Sequence, residues 1–271
     1  MSAAATSGIH YETAGNGPPL VLLHGIGSNS RSWRRQLRGL SDRYTVIAWD
    51  APGYGGSREP VGPPSVATYA DDLEALLGTL VDEPVHLIGH SLGGIIAQEF
   101  YGRYPERVRT LVLVDTSRGG GAEEELVRNR KLETRLKAIA EQTPRQIAER
   151  RAPALLRAAA PLDLVREAVE IMAEIRPAGY RFAAEALAQA DETSILARIA
   201  VPTLLIWGAD DRITPLGEGR RMAATIPGVR LEVIPDAGHL CYVARASIFN
   251  SLIESFCAAA ALPPTPGPTP R

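Results

Sequence analysis

A serine stands between two glycines at a point where the pattern of hydrophobicity changes. Gly89 and Gly93 lie two residues before and two residues after Ser91. The apolar run 85–88 precedes this motif and has the length of a buried strand, whereas 92–104 repeats apolar residues at helical spacing. A glycine-x-serine-x-glycine motif in this context requires a sharp turn, and residues without a Cβ leave room for it. The sequence therefore predicts a strand–turn–helix unit with the serine hydroxyl at the carboxyl end of a sheet.

Short apolar runs alternate with helical patterns along most of the chain. Each run is bounded by turn-forming residues, as is typical of strands buried on both faces of a sheet. The runs are 20–23, 44–49, 85–88, 111–114, 203–207 and 231–234. Alternating strands and helices imply parallel pairing through crossover connections. We therefore predict an α/β fold in which helices flank a mostly parallel central sheet.

The segment 117–197 interrupts this alternation. It contains no strand-like run, is rich in Ala, Glu, Arg and Leu, and has prolines at intervals. We predict a helical cap inserted into a core formed by 1–116 and 198–258, because a crossover between parallel strands needs only about a dozen residues. The segment 259–271 is rich in proline, which favours neither helix nor sheet, and we expect a disordered tail there.

The charge balance and the cysteine content exclude several classes of protein. The chain of 271 residues has 29 basic and 31 acidic side chains, a net charge of −2. This balance argues against a nucleic-acid partner, since such proteins present basic surfaces. No apolar run has the length of a membrane span, and the first eight residues lack the parts of a signal peptide. Two cysteines, Cys241 and Cys257, do not make a disulfide framework, so we expect a cytoplasmic protein. We expect no membrane partner, and a homodimer stays open.

A serine hydroxyl is a poor nucleophile unless a base takes its proton and a third group orients the base. Of the five histidines, His239 is the candidate base because it follows the last predicted strand, where sites of α/β proteins form. Three carboxylates at strand ends compete to be its partner: Asp115, Asp210 and Asp211. Asp211 is favoured, since serine, acid, histidine is the order expected with this motif. Asp210 is the near alternative and Asp115 the more distant one.

Backbone N–H groups near the serine are candidates to bind a negatively charged oxygen. The N–H of Leu92 follows the serine directly at a helix N-terminus. The glycine-rich loop 24–27 is expected to supply a second donor from Ile26. We interpret His24 as an anchor of this loop and Asp50 as the residue that holds the turn after its own strand.

Together these motifs resemble those of the α/β-hydrolase fold family over nearly all of residues 9–258. The matching segments are 24–27, 50–57, 89–94, 208–211 and 238–239. Within that family the chain is similar to 3-oxoadipate enol-lactonases and related small serine carboxylesterases. The resemblance supports Asp211, because the family's acid stands three residues after a glycine, here Gly208. It also implies a helical cap at 117–197.

The residues and the resemblance together predict a hydrolase of carboxylic esters or lactones that works through an acyl-enzyme. Ser91 would attack the acyl carbon, His239 would transfer the proton, and Asp211 would hold the imidazole. The expected partner is a small ester or lactone substrate, and no cofactor or metal ion is needed. Carbon–carbon hydrolysis, acyl transfer or perhydrolysis on the same residues, and a non-catalytic ligand receptor, stay open as alternatives. The candidate walls of the substrate pocket are Trp33, Tyr54, Met172 and Phe182.

Overall fold

The computed structural model describes residues 2–4 and 7–260, and their strands form one eight-stranded sheet. The strands are β1 (Ser2–Ala4), β2 (His10–Ala14), β3 (Pro19–Leu23), β4 (Thr45–Trp49), β5 (Val85–His90), β6 (Val108–Val114), β7 (Thr203–Gly208) and β8 (Arg230–Ile234). Their order across the sheet is β1-β2-β4-β3-β5-β6-β7-β8. Pairing is parallel from β4 to β8, and β2 pairs antiparallel with both β1 and β4. The predicted mostly parallel sheet is confirmed.

Helices cover both faces of this sheet. They are α1 (Arg34–Gly39), α2 (Val66–Leu80), α3 (Leu92–Arg103), α4 (Glu125–Glu141), α5 (Pro144–Arg151), α6 (Leu162–Met172), α7 (Pro177–Gln189), α8 (Thr193–Leu196), α9 (Leu216–Ala223), α10 (Cys241–Ala244) and α11 (Ala246–Ala260). Neighbouring residues of β3 point to opposite faces: Val21 packs in the core with α2 and α3, and Leu22 in the core with α1 and α11. None of the described helices combines the length and hydropathy needed to span a bilayer.

The chain between β6 and β7 is helical and contains α4 to α8. Pro144 is the first residue of α5 and Pro177 is the first of α7, positions where the missing N–H removes no helical hydrogen bond. Thr143 and Gln146 close a reciprocal capping box at the start of α5. We propose 117 and 198 as the limits between this inserted cap and the sheet domain.

The last helix runs further than the sequence suggested. Residues 259 and 260, predicted to begin the disordered tail, belong to α11 because the alanines at 258–260 favour helix. The rest of the predicted tail, 261–271, lies outside the described residues.

A close backbone contact joins the inserted helices to the sheet domain. Gly179 in α7 lies against Gly53, so that a Cβ added at position 179 would overlap the Gly53 carbonyl oxygen. Beside this contact, the Arg176 guanidinium donates to the carbonyl oxygens of Gly53 and Ser57 at 3.1 and 2.7 Å. The position of α7 on the sheet domain thus depends on the absence of a side chain at residue 179.

Alanine substitutions at two helical glycines are expected to have opposite effects on stability. Gly78 is exposed on α2, and a Cβ added there meets no atom within 4 Å. Gly78→Ala should therefore raise the free energy of unfolding by about 0.5–1 kcal/mol through helix propensity. Gly179→Ala should lower it by about 1–3 kcal/mol because the new methyl group overpacks the contact. Denaturant unfolding measures both, and equal shifts would contradict the close approach of α7.

Candidate active site

Ser91 occupies a strained turn between β5 and α3. Its backbone has φ 53° and ψ −118°, a conformation that residues with a Cβ seldom adopt. Gly89 and Gly93 make the turn feasible: an added Cβ on Gly89 would overlap the Gly93 carbonyl, and one on Gly93 would overlap the Leu23 carbonyl. The turn places Ser91 at the carboxyl end of the sheet and at the N-terminus of α3, where the helix dipole favours developing negative charge.

The imidazole of His239 forms a buried hydrogen bond with Asp211. Nδ1 of the ring lies 2.8 Å from Oδ2 of the carboxylate, and both side chains are almost fully enclosed. Oδ1 accepts from the N–H groups of Ile213 and Thr214 at 2.7 and 3.1 Å, so the turn after β7 fixes the carboxylate. Because an ionised carboxylate only accepts hydrogen bonds, Nδ1 carries the proton and Nε2 keeps its lone pair.

The two acids that competed with Asp211 have different surroundings. The side chain of Asp210 is exposed. Asp115 is fully buried at the end of β6, where its Oδ1 accepts from the Gly208 N–H at 2.8 Å. Burial raises the pKa of Asp115 well above its ordinary value, and the nearby Asp211 carboxylate raises it further. Of the three acids, Asp211 is the one in contact with His239.

Two further buried histidines tie the loops of the site together. His24 donates from Nδ1 to the Gly25 carbonyl at 2.9 Å and accepts at Nε2 from the Ala51 N–H at 3.0 Å. His90 donates from Nε2 to the carbonyl of His239 at 2.8 Å. Burial lowers the pKa of His24, and it lowers the pKa of His90 well below its ordinary value, so both rings are neutral near pH 7. The sequence indicated the anchoring by His24. It did not predict the hydrogen bond from His90 to the His239 carbonyl. The one available signal was that His90 directly precedes Ser91.

Ile26 and Leu92 line the same cavity as Ser91. In the chain from 7 to 260, no hydrogen bond engages the backbone N–H of either residue. Both donors are thus free to bind an oxygen at this place.

Asp50 joins two loops near the Ile26 and Leu92 N–H groups through hydrogen bonds. Its Oδ1 accepts from the Ser30 N–H at 2.7 Å, and its Oδ2 accepts from the Gly56 N–H at 2.9 Å. Burial by itself would raise the pKa of Asp50, but these N–H donors hold it below its ordinary value. The ionised carboxylate therefore joins the segment after β3 to the turn after β4. The sequence indicated only that it holds the turn after β4.

A cavity of about 740 Å³ borders Ser91 and His239. Its wall is formed by loop 25–28, by the segments that follow β6 and β7, and by residues of the inserted helices α4 to α7. This volume lies within the roughly 300–1,000 Å³ that is common for small-molecule sites. Among the described residues, no group of three or more histidine, cysteine, aspartate or glutamate side chains is arranged to hold a metal ion.

Of the four side chains expected to form the pocket wall, three do not line this cavity. Met172 lies on the cavity wall. Trp33 instead stacks on another aromatic ring in the core, with centroids 4.0 Å apart. Tyr54 and Phe182 make edge-to-face contacts with buried rings at 5.1 and 5.4 Å. Large rings bury most apolar area when they pack against one another, so these three stabilise the core rather than face the cavity.

Comparisons with known proteins place this geometry in a family. The model of the alpha/beta hydrolase fold matches residues 18–245. The chain is 29% identical to 3-oxoadipate enol-lactonase 2 of Acinetobacter baylyi, covering 91% of this chain and 92% of that protein. It is 32% identical to a pimeloyl-[acyl-carrier protein] methyl ester esterase of Chromobacterium violaceum, covering 89% of this chain and 94% of the other.

Its structure is similar to that of a thermophilic esterase from Thermogutta terrifontis. The TM-score is 0.88 and the identity 28%, over 97% of this chain and 100% of that one. The resemblance inferred from the motifs is confirmed by these matches: the chain belongs to the alpha/beta hydrolase fold family.

Proposed function

We propose that the chain hydrolyses a carboxylic ester or lactone through a serine acyl-enzyme. The observation that carries this proposal is that His239, hydrogen-bonded to the buried Asp211, borders the same cavity as the strained Ser91 turn. The relatives support the class of substrate, since those named above are an enol-lactonase and two esterases.

The hydrogen bond of the imidazole defines the direction of proton transfer. Asp211 keeps a proton on Nδ1 of His239, so Nε2 is the nitrogen that takes the proton of the Ser91 hydroxyl as it attacks the acyl carbon. The imidazolium, stabilised by the carboxylate, then donates its Nε2 proton to the leaving alkoxide. In the second half of the reaction, Nε2 takes a proton from water, which attacks the acyl-enzyme and releases the acid.

Backbone N–H groups would stabilise the tetrahedral intermediate. The negatively charged oxygen of the tetrahedral intermediate would accept from the N–H groups of Ile26 and Leu92, which have no other hydrogen bond in the described chain. Donors fixed in a water-poor site need no reorganisation when charge develops, and such donors contribute the largest single part of catalysis in many enzymes. The bonds of His24 hold the loop of Ile26 in place.

The inserted helices would select the substrate. Residues from α4 to α7 form much of the cavity wall, and long insertions at strand ends are where binding residues accumulate. A carbon–carbon hydrolase or an acyltransferase would use the same serine, acid and histidine, so identification of the products distinguishes these reactions from ester hydrolysis.

Ser91→Ala should abolish ester hydrolysis without unfolding the protein. Removing the nucleophile is expected to lower kcat by about 10³-fold or more. Because alanine keeps the Cβ and the same turn, the unfolding midpoint should change little. Ser255→Ala, at an exposed serine on α11, is the matched control and should behave as wild type. The assay is release of p-nitrophenol from p-nitrophenyl acetate. Near-normal turnover by purified Ser91→Ala would overturn the proposed function.

Asp211→Asn and Asp210→Asn form a second matched pair. An amide at position 211 can donate towards Nδ1 and so favour the wrong tautomer of His239, and kcat should fall by about 10³-fold or more. The same change at the exposed neighbour Asp210 should leave kcat close to that of wild type. Steady-state kinetics on one ester measures both variants. A larger loss at position 210 would assign the acid to the other carboxylate.

A further inference from the structure

Two buried carboxyl groups lie side by side where β6 and β7 end. The carboxyl group of Asp115 is within hydrogen-bonding reach of the carboxyl group of Asp211. Asp115 has no exposed surface, and Asp211 is 6% exposed. Asp115 is held against β7, because its backbone N–H donates to the Ile206 carbonyl at 3.0 Å and its Oδ1 accepts from the Gly208 N–H at 2.8 Å. The sheet itself therefore keeps the two carboxyl groups together.

Asp115 lacks the partners that an ionised carboxylate needs. Its Oδ2 is fully enclosed and accepts no hydrogen bond. Among the described residues, no ion pair includes Asp115. A buried charge is costly without such partners, and two carboxylates this close repel each other. One proton between the two groups removes both penalties.

Asp211 has the surroundings that keep a carboxylate ionised. It accepts from the N–H groups of Ile213 and Thr214 at 2.7 and 3.1 Å, and from Nδ1 of His239 at 2.8 Å. Hydrogen bonds to the charged form of a carboxyl group favour that form. The proton of the pair therefore belongs on Asp115, and in agreement with this, burial raises the pKa of Asp115 well above its ordinary value.

Asp115 faces titratable groups on two other elements. They are Asp211, after β7, and the neighbouring residues Cys241 and Tyr242 of α10. Burial raises the pKa of the Cys241 thiol and of the Tyr242 hydroxyl, so both stay neutral. A thiol is a weak acceptor, whereas a carboxylate is a strong one. A proton on Oδ2 of Asp115 would therefore be donated to Asp211.

We infer that Asp115 is protonated at neutral pH and donates a hydrogen bond from Oδ2 to the Asp211 carboxylate. The inference rests on the proposed function, in which Asp211 orients His239. A hydrogen bond to an ionised acceptor is short and strong. It would hold the carboxylate in the orientation that fixes the imidazole, and it would disperse part of the negative charge. Asp115 is thus a positioning residue that acts on the reaction through Asp211.

Asparagine and alanine at position 115 separate the donated hydrogen bond from the charge. Asp115→Asn keeps an oxygen for the Gly208 N–H and an N–H donor for Asp211, but it cannot ionise. It should leave kcat and the acidic midpoint of the pH profile of kcat/KM close to those of wild type. Asp115→Ala removes the donor, and kcat should fall by about 10-fold or more, as expected for loss of a hydrogen bond to a charged group. The acidic midpoint should move to higher pH, because the undispersed charge of Asp211 then stabilises the imidazolium of His239 more strongly.

The control is Asp210→Asn, which removes a carboxylate from the exposed neighbour of Asp211 and should leave both quantities unchanged. If Asp115 were ionised, both of its variants would lose a negative charge beside Asp211, and the acidic midpoint would move to lower pH in both. That shift would overturn the inference. An equal loss of kcat in the two variants would also overturn it, as would an alanine variant that loses stability but keeps the wild-type pH profile.

Infrared spectroscopy detects the proton without turnover, and it needs only the variant that keeps the packing. The C=O stretching band of a protonated carboxyl group is separate from the bands of carboxylates and amides. The difference spectrum between wild type and Asp115→Asn at neutral pH should contain one such band. Glu192 gives a second band, since burial and the nearby Glu99 carboxylate raise its pKa to about 8. Glu192→Gln identifies that second band.

The infrared measurement also separates failure of this inference from failure of the proposed function. An active enzyme without the Asp115 band would overturn the inference and leave the proposed function standing. A wild-type protein that shows the Asp115 band but hydrolyses none of a panel of esters and lactones would overturn the proposed function alone.

Discussion

The close approach of backbone at the serine turn is the constraint on which the site depends. The residues at 89 and 93 have no side chain, so β5, α3 and the end of β3 meet at van der Waals distance around Ser91. This contact holds a serine in a conformation that it would not adopt alone. It also fixes the start of α3, and with it the N–H of Leu92, relative to loop 24–27. The packing of this backbone thus sets the positions of the proposed nucleophile and of the proposed oxyanion donors.

Two neutral buried histidines, His90 and His24, join the serine turn and loop 24–27 to other loops of the site through hydrogen bonds. His90 bonds to the carbonyl of His239, so the residue next to the serine positions the loop that contains the proposed base. His24 similarly ties loop 24–27 to the turn after β4. His24 bonds to backbone groups through both ring nitrogens and His90 does so through Nε2. Protonation would place a buried charge on either ring. Their contribution is therefore positional, and it joins loops that are far apart in sequence.

Much of the fold was predictable because its signals are local. Buried strands need continuous apolar runs, and the serine motif needs its two glycines, so the sheet and the turn follow from short segments. Asp210 and Asp211 both follow β7, so the local pattern alone does not separate them. In the structure, the N–H groups of Ile213 and Thr214 hold the Asp211 carboxylate, which contacts His239.

The lining of the cavity was not predictable in the same way. Trp33 and Met172 are both buried, and apolarity alone does not tell which of them faces a void. That depends on how the inserted helices pack on the sheet domain, which is decided by contacts between residues distant in sequence. Asp115 shows the same limit: along the chain it is one of several acids at strand ends, and only the packed structure shows that its enclosed Oδ2 has no donor and that a second carboxyl group lies beside it.

The most direct measurement of the central claim is a crystal structure of the protein after reaction with a p-nitrophenyl alkylphosphonate. Such a reagent leaves a tetrahedral phosphonyl group on an activated serine and so mimics the intermediate. The account predicts a covalent bond from Ser91 Oγ to phosphorus. It also predicts a phosphoryl oxygen about 2.7–3.1 Å from the backbone nitrogens of both Ile26 and Leu92. An adduct on another residue, or a phosphoryl oxygen turned away from both N–H groups, would contradict it.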